Sequence, residues 1–231
     1  MSSRVKQPNG LLTQQKMLHA AVQLFLQKGY EGTTTAEIAR AAGMTPSSFF
    51  RAFPSKEGLL LELVQRMFGG QFALAEQHGG TDDPIFLYAV ETALQLHITE
   101  LNEPLRGLYV TAYSLPATSA YLYRKTSERL QKIFGGCMPE AQAKDFYEME
   151  IASAGIMRGF MALPCDVYFT IEAKIARFLD CALKLYDVPA ERRRAVTAAV
   201  LARELRPMAA EIIRKTVEQA ERGFDALTAD K

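Results

Sequence analysis

Thr34-Thr35-Ala36-Glu37-Ile38-Ala39-Arg40-Ala41-Ala42-Gly43-Met44-Thr45-Pro46-Ser47-Ser48-Phe49-Phe50-Arg51-Ala52-Phe53 holds two helix starts and one helix stop in close succession. Thr34 and Glu37 have capping-box spacing: the hydroxyl accepts from a backbone N–H while the carboxylate reaches back to the cap. Ile38, Ala39 and Ala42 point inward, and Gly43 stops the helix. Thr45-Pro46 then supplies a cap and a proline at the first helical position, where its missing N–H costs nothing. A second helix runs from Pro46 to about Phe53. Two short helices around a tight, glycine-containing turn predict a helix-turn-helix, the arrangement that lays its second helix in the DNA major groove.

Upstream, Met17, Ala21, Leu24 and Phe25 recur at helical spacing between Thr13 and Lys28, with Gly29 at the position of a C-terminal cap. Downstream, Pro54-Ser55-Lys56-Glu57 ends one helix and caps the next, which continues through Leu59, Leu60, Leu63, Val64 and Met67 toward Ala75. Gln77 to Pro84 reads as a loop. Further helices are predicted near 85–102, 105–115, 118–134, 140–163 and 168–186, punctuated by Pro104, Pro116, Gly135-Gly136, Pro139 and Pro164. A last helical region, from Pro189 to about Phe224, is expected to break or kink at Pro207. No segment sustains period-two alternation, so the chain is predicted to be all-α. The expected organisation is a helix-turn-helix domain over 1–54, ordered from about 12, and a helical effector and dimerisation domain over 55–231. The latter takes in a connecting helix near 55–76 and the extra region 189–224.

The 231 residues carry a formal net charge of only +1, but unevenly. Through position 60, Arg4, Lys6, Lys16, Lys28, Arg40, Arg51 and Lys56 face Glu31, Glu37 and Glu57, an excess of four positive charges. Such an excess attracts phosphate, although a solvated basic face with no partner has the same composition. Cys137, Cys165 and Cys181 are odd in number and lack Cys-x-x-Cys spacing, so a reduced, cytoplasmic setting is expected. The start of the chain lacks the apolar stretch of a signal peptide, and no apolar run reaches the ~18 residues that span a bilayer. A membrane partner is therefore not expected.

On the second short helix, Phe49 and Phe53 lie four apart and should anchor it, which turns Ser47, Ser48 and Arg51 outward. Hydroxyls can bond phosphates or base edges, and an arginine can contact guanine bidentately. Both helix starts, at Thr34 and Thr45, offer backbone N–H groups to phosphate, and Lys56 stands where it can clamp the flanking backbone. The same residues would serve equally as ordinary caps of a small helical domain.

Positions 14 to 68 resemble the TetR family of bacterial regulators. The resemblance rests on Ala20-Ala21, Leu24-Phe25, Gly29-Tyr30, Thr33-Thr34, Ile38-Ala39, Ala42-Gly43 and Phe53-Pro54-Ser55-Lys56-Glu57 followed by Leu59-Leu60. It implies a three-helix DNA-binding head, a fourth helix linking it to a variable ligand domain, and a homodimer. By the resemblance, Thr34, Thr45, Ser48 and Lys56 contact DNA; Ser47 and Arg51 join them from the helical-face argument. The chain departs from the family pattern where recognition is decided. Ser47 replaces a glycine, Phe50 a tyrosine and Ala52 a frequent histidine, which removes two habitual phosphate contacts.

In the second domain the resemblance implies that two late helices pair with their copies, here about 143–163 and 168–187. Ile151, Ala154, Gly155, Arg158, Ile175, Phe178, Leu179 and Ala182 are the interface candidates, although the same stripe can be intramolecular core. Phe86, Tyr109, Tyr113, Met157, Phe160 and Met161, with Tyr88, Tyr121 and Tyr123 nearby, could line a largely apolar effector pocket or pack as core. His97 and Glu100 have a metal-compatible spacing that fits a surface pair better. No phosphate loop, Gly-x-Ser-x-Gly elbow or His-Glu-x-x-His motif is present. Neither an enzyme nor a cofactor is expected. The expected function is a ligand-responsive repressor that binds a palindromic operator as a dimer, with ligand moving the heads through helix four. The alternative is a helical interaction module that has lost specific DNA binding.

Overall fold

Helix C-caps decide where the first domain turns. In the computed structural model, which describes residues 8–66 and 83–228, α1 (Pro8–Lys28) ends at Gly29, whose φ of +77° lets its N–H reach back to the Phe25 carbonyl at 3.0 Å. Helix α2 (Thr35–Ala41) ends in a Schellman turn: Gly43, at φ +72°, donates to Arg40 and Met44 donates to Ala39. A side chain at either glycine would face the strain of left-handed backbone. Helix α3 (Pro46–Ala52) follows at once, and α4 runs over 56–66. Phe25, Ile38, Phe49 and Leu59 are fully buried and form the centre of this head.

The second layer is built round α5 (Pro84–Thr99), which is buried on nearly every side and packs against all six later helices. These are α6 (Glu103–Ala112), α7 (Pro116–Phe134), α8 (Ala143–Ala162), α9 (Ile171–Leu185), α10 (Ala190–Leu201) and α11 (Leu205–Thr228). A helix apolar all round belongs in an interior. The fold is all-helical, with an N-terminal helix-turn-helix domain and a helical C-terminal domain, as expected. The expected connecting helix near 55–76 is described only to residue 66, and the expected loop over 77–84 lies almost wholly outside the described residues.

One expectation fails in its detail. The break in the last region falls at 202–204, and Pro207 sits in the first turn of α11. N–H groups in a first turn have no intrahelical acceptor, so proline is accommodated there and the chain turns just before it.

The head is joined to the bundle by α1, which packs on α6 and α11, and by Glu57 of α4, which accepts from the Ala117 N–H at 2.8 Å. Within the bundle, Lys174 is fully buried and donates to Glu100 at 2.7 Å and to the Leu163 carbonyl. Glu100 also accepts from Arg106 and from the Cys165 N–H. This knot ties the α8–α9 connection to α5 and α6, and it takes up the carboxylate that His97 would have shared. Lys174→Ala leaves a half-buried carboxylate short of its main partner and should cost about 3 kcal/mol. Chemical denaturation of this variant checks it; a loss of under ~1 kcal/mol would show that Arg106 suffices.

Candidate nucleic-acid interface and internal cavity

The capping box at α2 forms as its spacing predicts: the Thr34 hydroxyl accepts from the Glu37 N–H at 3.2 Å and the Thr34 N–H donates to Glu37 at 2.8 Å. Lys28 pairs with the same carboxylate at 2.5 Å, and with Thr34 it holds the Glu37 carboxyl down at about 2. Thr34 is exposed, but its hydroxyl is already committed to this box. At the start of α3 the Thr45 side chain does not cap the helix; its hydroxyl is shared with Ser47 at 3.1 Å and Ser48 at 2.9 Å.

The outward face of α3 is Ser47, Phe50 and Arg51, with Phe50 61% exposed. Ser48, expected on that face, is instead buried, and its hydroxyl accepts from the Arg51 guanidinium at 3.0 Å. It therefore aims Arg51. The reason is helical geometry: Ser48 adjoins the buried Phe49 and stands nearer the packed side than Ser47 does. Gln14 of α1 secures the far end of α3 by donating to the Ala52 carbonyl at 2.7 Å.

Lys56 is placed differently from a free clamp. Its ammonium lies 4.0 Å from the Tyr30 ring centroid and donates to the Tyr30 and Thr33 carbonyls at 2.9 and 3.0 Å. It fastens the α1–α2 turn to the start of α4. Burial, with Glu31 and Glu57 adding to it, pushes the Tyr30 phenol up to about 12.

In the bundle, a cavity of about 40 Å³ lies between α5, α7, α8 and α9 and reaches the end of α6. Of the residues expected to line a pocket, Tyr88, Tyr113 and Met157 line it. Phe86 lies under the Arg203 guanidinium, Phe160 packs on the rings of Phe169 and Phe178, and Tyr109 and Met161 are buried away from the cavity. Two residues expected at a dimer face, Ala154 and Phe178, line it instead. Ile175, Leu179 and Ala182 are also buried within the protomer, because the apolar stripe of α9 packs on α5, α8 and α10. Ile151, Gly155 and Arg158 remain exposed on α8.

The polar lining was not anticipated from the sequence. Glu91 forms a bidentate pair with Arg129, Tyr113 donates to Gln95 at 3.1 Å, and Ser153 donates to Glu150 at 2.7 Å and meets the Tyr186 hydroxyl at 3.0 Å. Burial pushes the Glu150 carboxyl up to about 8, and the hydrogen bonds from Ser153 and Tyr186 only partly offset it. The available signal was Glu91 and Gln95, two polar residues one helical turn apart inside the apolar run Ile85 to Ile98.

Residues 17–63 match the family model described as bacterial regulatory proteins, tetR family. The chain therefore carries a TetR-type helix-turn-helix head. The TetR-type head also aligns with a helix-turn-helix transcriptional regulator of Bacillus subtilis (strain 168), YvkB, at 38% identity over 68 residues, covering 29% of this chain and 36% of YvkB. It aligns with TcmR of Streptomyces glaucescens at 34% over 73 residues, 32% of each chain. The matches thus span about a third of the length of these relatives. Over most of its length the fold is similar to that of RolR in complex with resorcinol, with a TM-score of 0.66 at 18% identity, covering 82% of this chain and 95% of RolR.

Two outcomes follow from the geometry. Lys56→Met should lower stability by about 2 kcal/mol, the scale of lost charge-assisted hydrogen bonds; an unchanged melting temperature would return Lys56 to a purely external role. For Glu150, unfolding lowers its pKa from about 8 to the ordinary 4.5. Between those values the unfolded chain releases a proton that the folded one keeps, so stability falls as pH rises through that window. Glu150→Gln should flatten the decline in denaturation curves taken at pH 5 and pH 8; an equally steep decline in the variant would assign it to other groups.

Proposed function

We propose that this chain is a ligand-responsive, DNA-binding transcriptional repressor that works as a homodimer on a palindromic operator. The observation that carries the reading is the outward face of α3, where Ser47, Phe50 and the Ser48-aimed Arg51 are exposed on a matched TetR-type head. Arg51 is suited to base edges, Ser47 to base or phosphate, and the Phe50 ring to sugar packing. The starts of α2 and α3, at Thr34 and Thr45, offer backbone N–H groups to phosphate. Ser48 acts by positioning Arg51, and Lys56 by holding the turn that carries α2.

The open side of α8 supports pairing between copies. Ile151, Gly155, Arg158 and Gly159 are exposed, and a Cβ at either glycine would meet open space, so a second backbone can approach closely. The internal cavity is the proposed effector site; RolR, which shares the fold, is a complex with a small ligand. Its lining includes Tyr113 at the end of α6 and Thr126 and Arg129 of α7. Since α6 packs on α1 and the start of α7 holds Glu57, a ligand that shifts either helix would move the head. A near-complete switch requires it to bind the two states unequally by about 5.5 kcal/mol.

Selection of bound sequences from random duplex DNA should enrich an inverted repeat with half-sites about 34 Å apart. Arg51→Ala should lose roughly tenfold or more at particular base pairs. Ile151→Glu should yield a monomer in light scattering and abolish binding to the repeat. Failure to enrich any sequence would favour the interaction-module reading, which the exposed Phe50 ring also suits.

A further inference from the structure

The cavity lining is specific about charge. The cation in the lining, Arg129, spends both terminal nitrogens on Glu91, so an anion entering beside it meets a carboxylate already in place. A cation meets the guanidinium, and finds Glu150 hydrogen-bonded by Ser153 and held in its neutral form by burial. The other titratable groups facing Glu150 are Tyr88 and Glu91 on α5, Tyr113 at the end of α6 and Tyr186 at the end of α9. None of these supplies an unmatched charge.

What the cavity does offer is neutral hydrogen-bonding capacity. The Tyr88 side chain is buried, but its hydroxyl, which makes no hydrogen bond with the described residues, is not sealed off, and Gln95 gives its carbonyl to Tyr113 while its amide nitrogen, likewise not sealed, makes no hydrogen bond with the described residues. Thr92 donates to backbone carbonyls at 2.9 and 3.1 Å and keeps its acceptor side. The rings of Tyr88, Tyr113 and Phe178, with Leu130 and Met157, make the remaining wall. Unspent polar groups inside apolar walls cost stability unless something pairs with them.

We infer that the cavity takes a compact, uncharged hydroxylated compound of up to one ring, and discriminates against both anions and cations of the same shape. The inference rests on reading the cavity as an effector site. The lining residues that are partly exposed, Thr126, Arg129 and Ile133, all lie on one face of α7, which makes α7 the entry side and the Glu91–Arg129 pair its latch. A benzene-sized guest needs about 150 Å³. The resting 40 Å³ must therefore expand on binding, and α7, which touches the head, is the wall with solvent behind it.

The test uses three single-ring probes at pH 7, phenol, benzoate and benzylammonium, titrated into the full-length protein by calorimetry. Phenol should bind at least tenfold more tightly than either ion. Tyr88→Phe should weaken phenol by about tenfold, the scale of one hydrogen bond, with an unchanged melting temperature. Tighter binding of benzoate or benzylammonium, displaced by Met157→Trp, would overturn the charge inference while leaving the effector site intact. Binding of none of the three would overturn the effector reading of this cavity and the inference with it.

Discussion

Burying α5 on nearly every side is the constraint from which the bundle follows. A helix that packs against six others places most of its residues in an interior, including Glu91, Thr92, Gln95 and Thr99. Each of those polar groups then needs a partner, because an unmatched one costs about 1–3 kcal/mol. Thr92 and Thr99 bond to carbonyls of their own helix, which any threonine in a helix can do. Glu91 and Gln95 cannot, and they recruit Arg129 from α7 and Tyr113 from the end of α6. The polar interior of the bundle and the placement of its neighbouring helices are thus one problem solved together.

The same argument explains why a void persists there. Glu150, Ser153 and Tyr186 form a second polar group across α8 and α9, and the aromatic set Tyr88, Phe134 and Tyr186 packs beneath it, with Phe134 stacked on Tyr186 at 4.4 Å. Two hydrogen-bonded networks with fixed geometries cannot collapse onto each other as aliphatic side chains would. The space left between them is lined by polar groups with capacity to spare. In the head the reverse holds: Phe25, Phe49 and Phe53 fill the centre, and polar groups are spent on caps and on the Lys56 staple.

A physical route joins the two regions. Helix α6 touches the cavity through Tyr113 and the head through α1, while α7 carries Arg129 at one end and receives Glu57 at the other. Packed helices transmit small displacements because their interiors are close to incompressible. The link therefore runs through packing and one hydrogen bond, in addition to the chain connection through α4.

Much was legible in the sequence because it was local. The capping box at Thr34, the glycine stops at 29 and 43 and the Phe49–Phe53 anchor depend on residues within a few positions of one another, and the backbone obeys them. Which face of a helix meets which neighbour is decided by contacts distant in sequence. Ser48 and Lys56 look like free polar groups until Arg51 and the Tyr30 carbonyl are seen beside them. Ala154 on α8 and Phe178 on α9, expected on an outer stripe, both face the cavity, and the stripe of α9 is covered by α5, α8 and α10. Sequence by itself determined the helices, the caps at 29, 34 and 43 and the TetR-type head, since short-range hydrogen bonding and periodicity act within single segments. Only the tertiary structure decided the cavity and its polar lining, because Glu91 meets Arg129 across 38 residues and Ser153 meets Tyr186 across 33, through packing that no local pattern records.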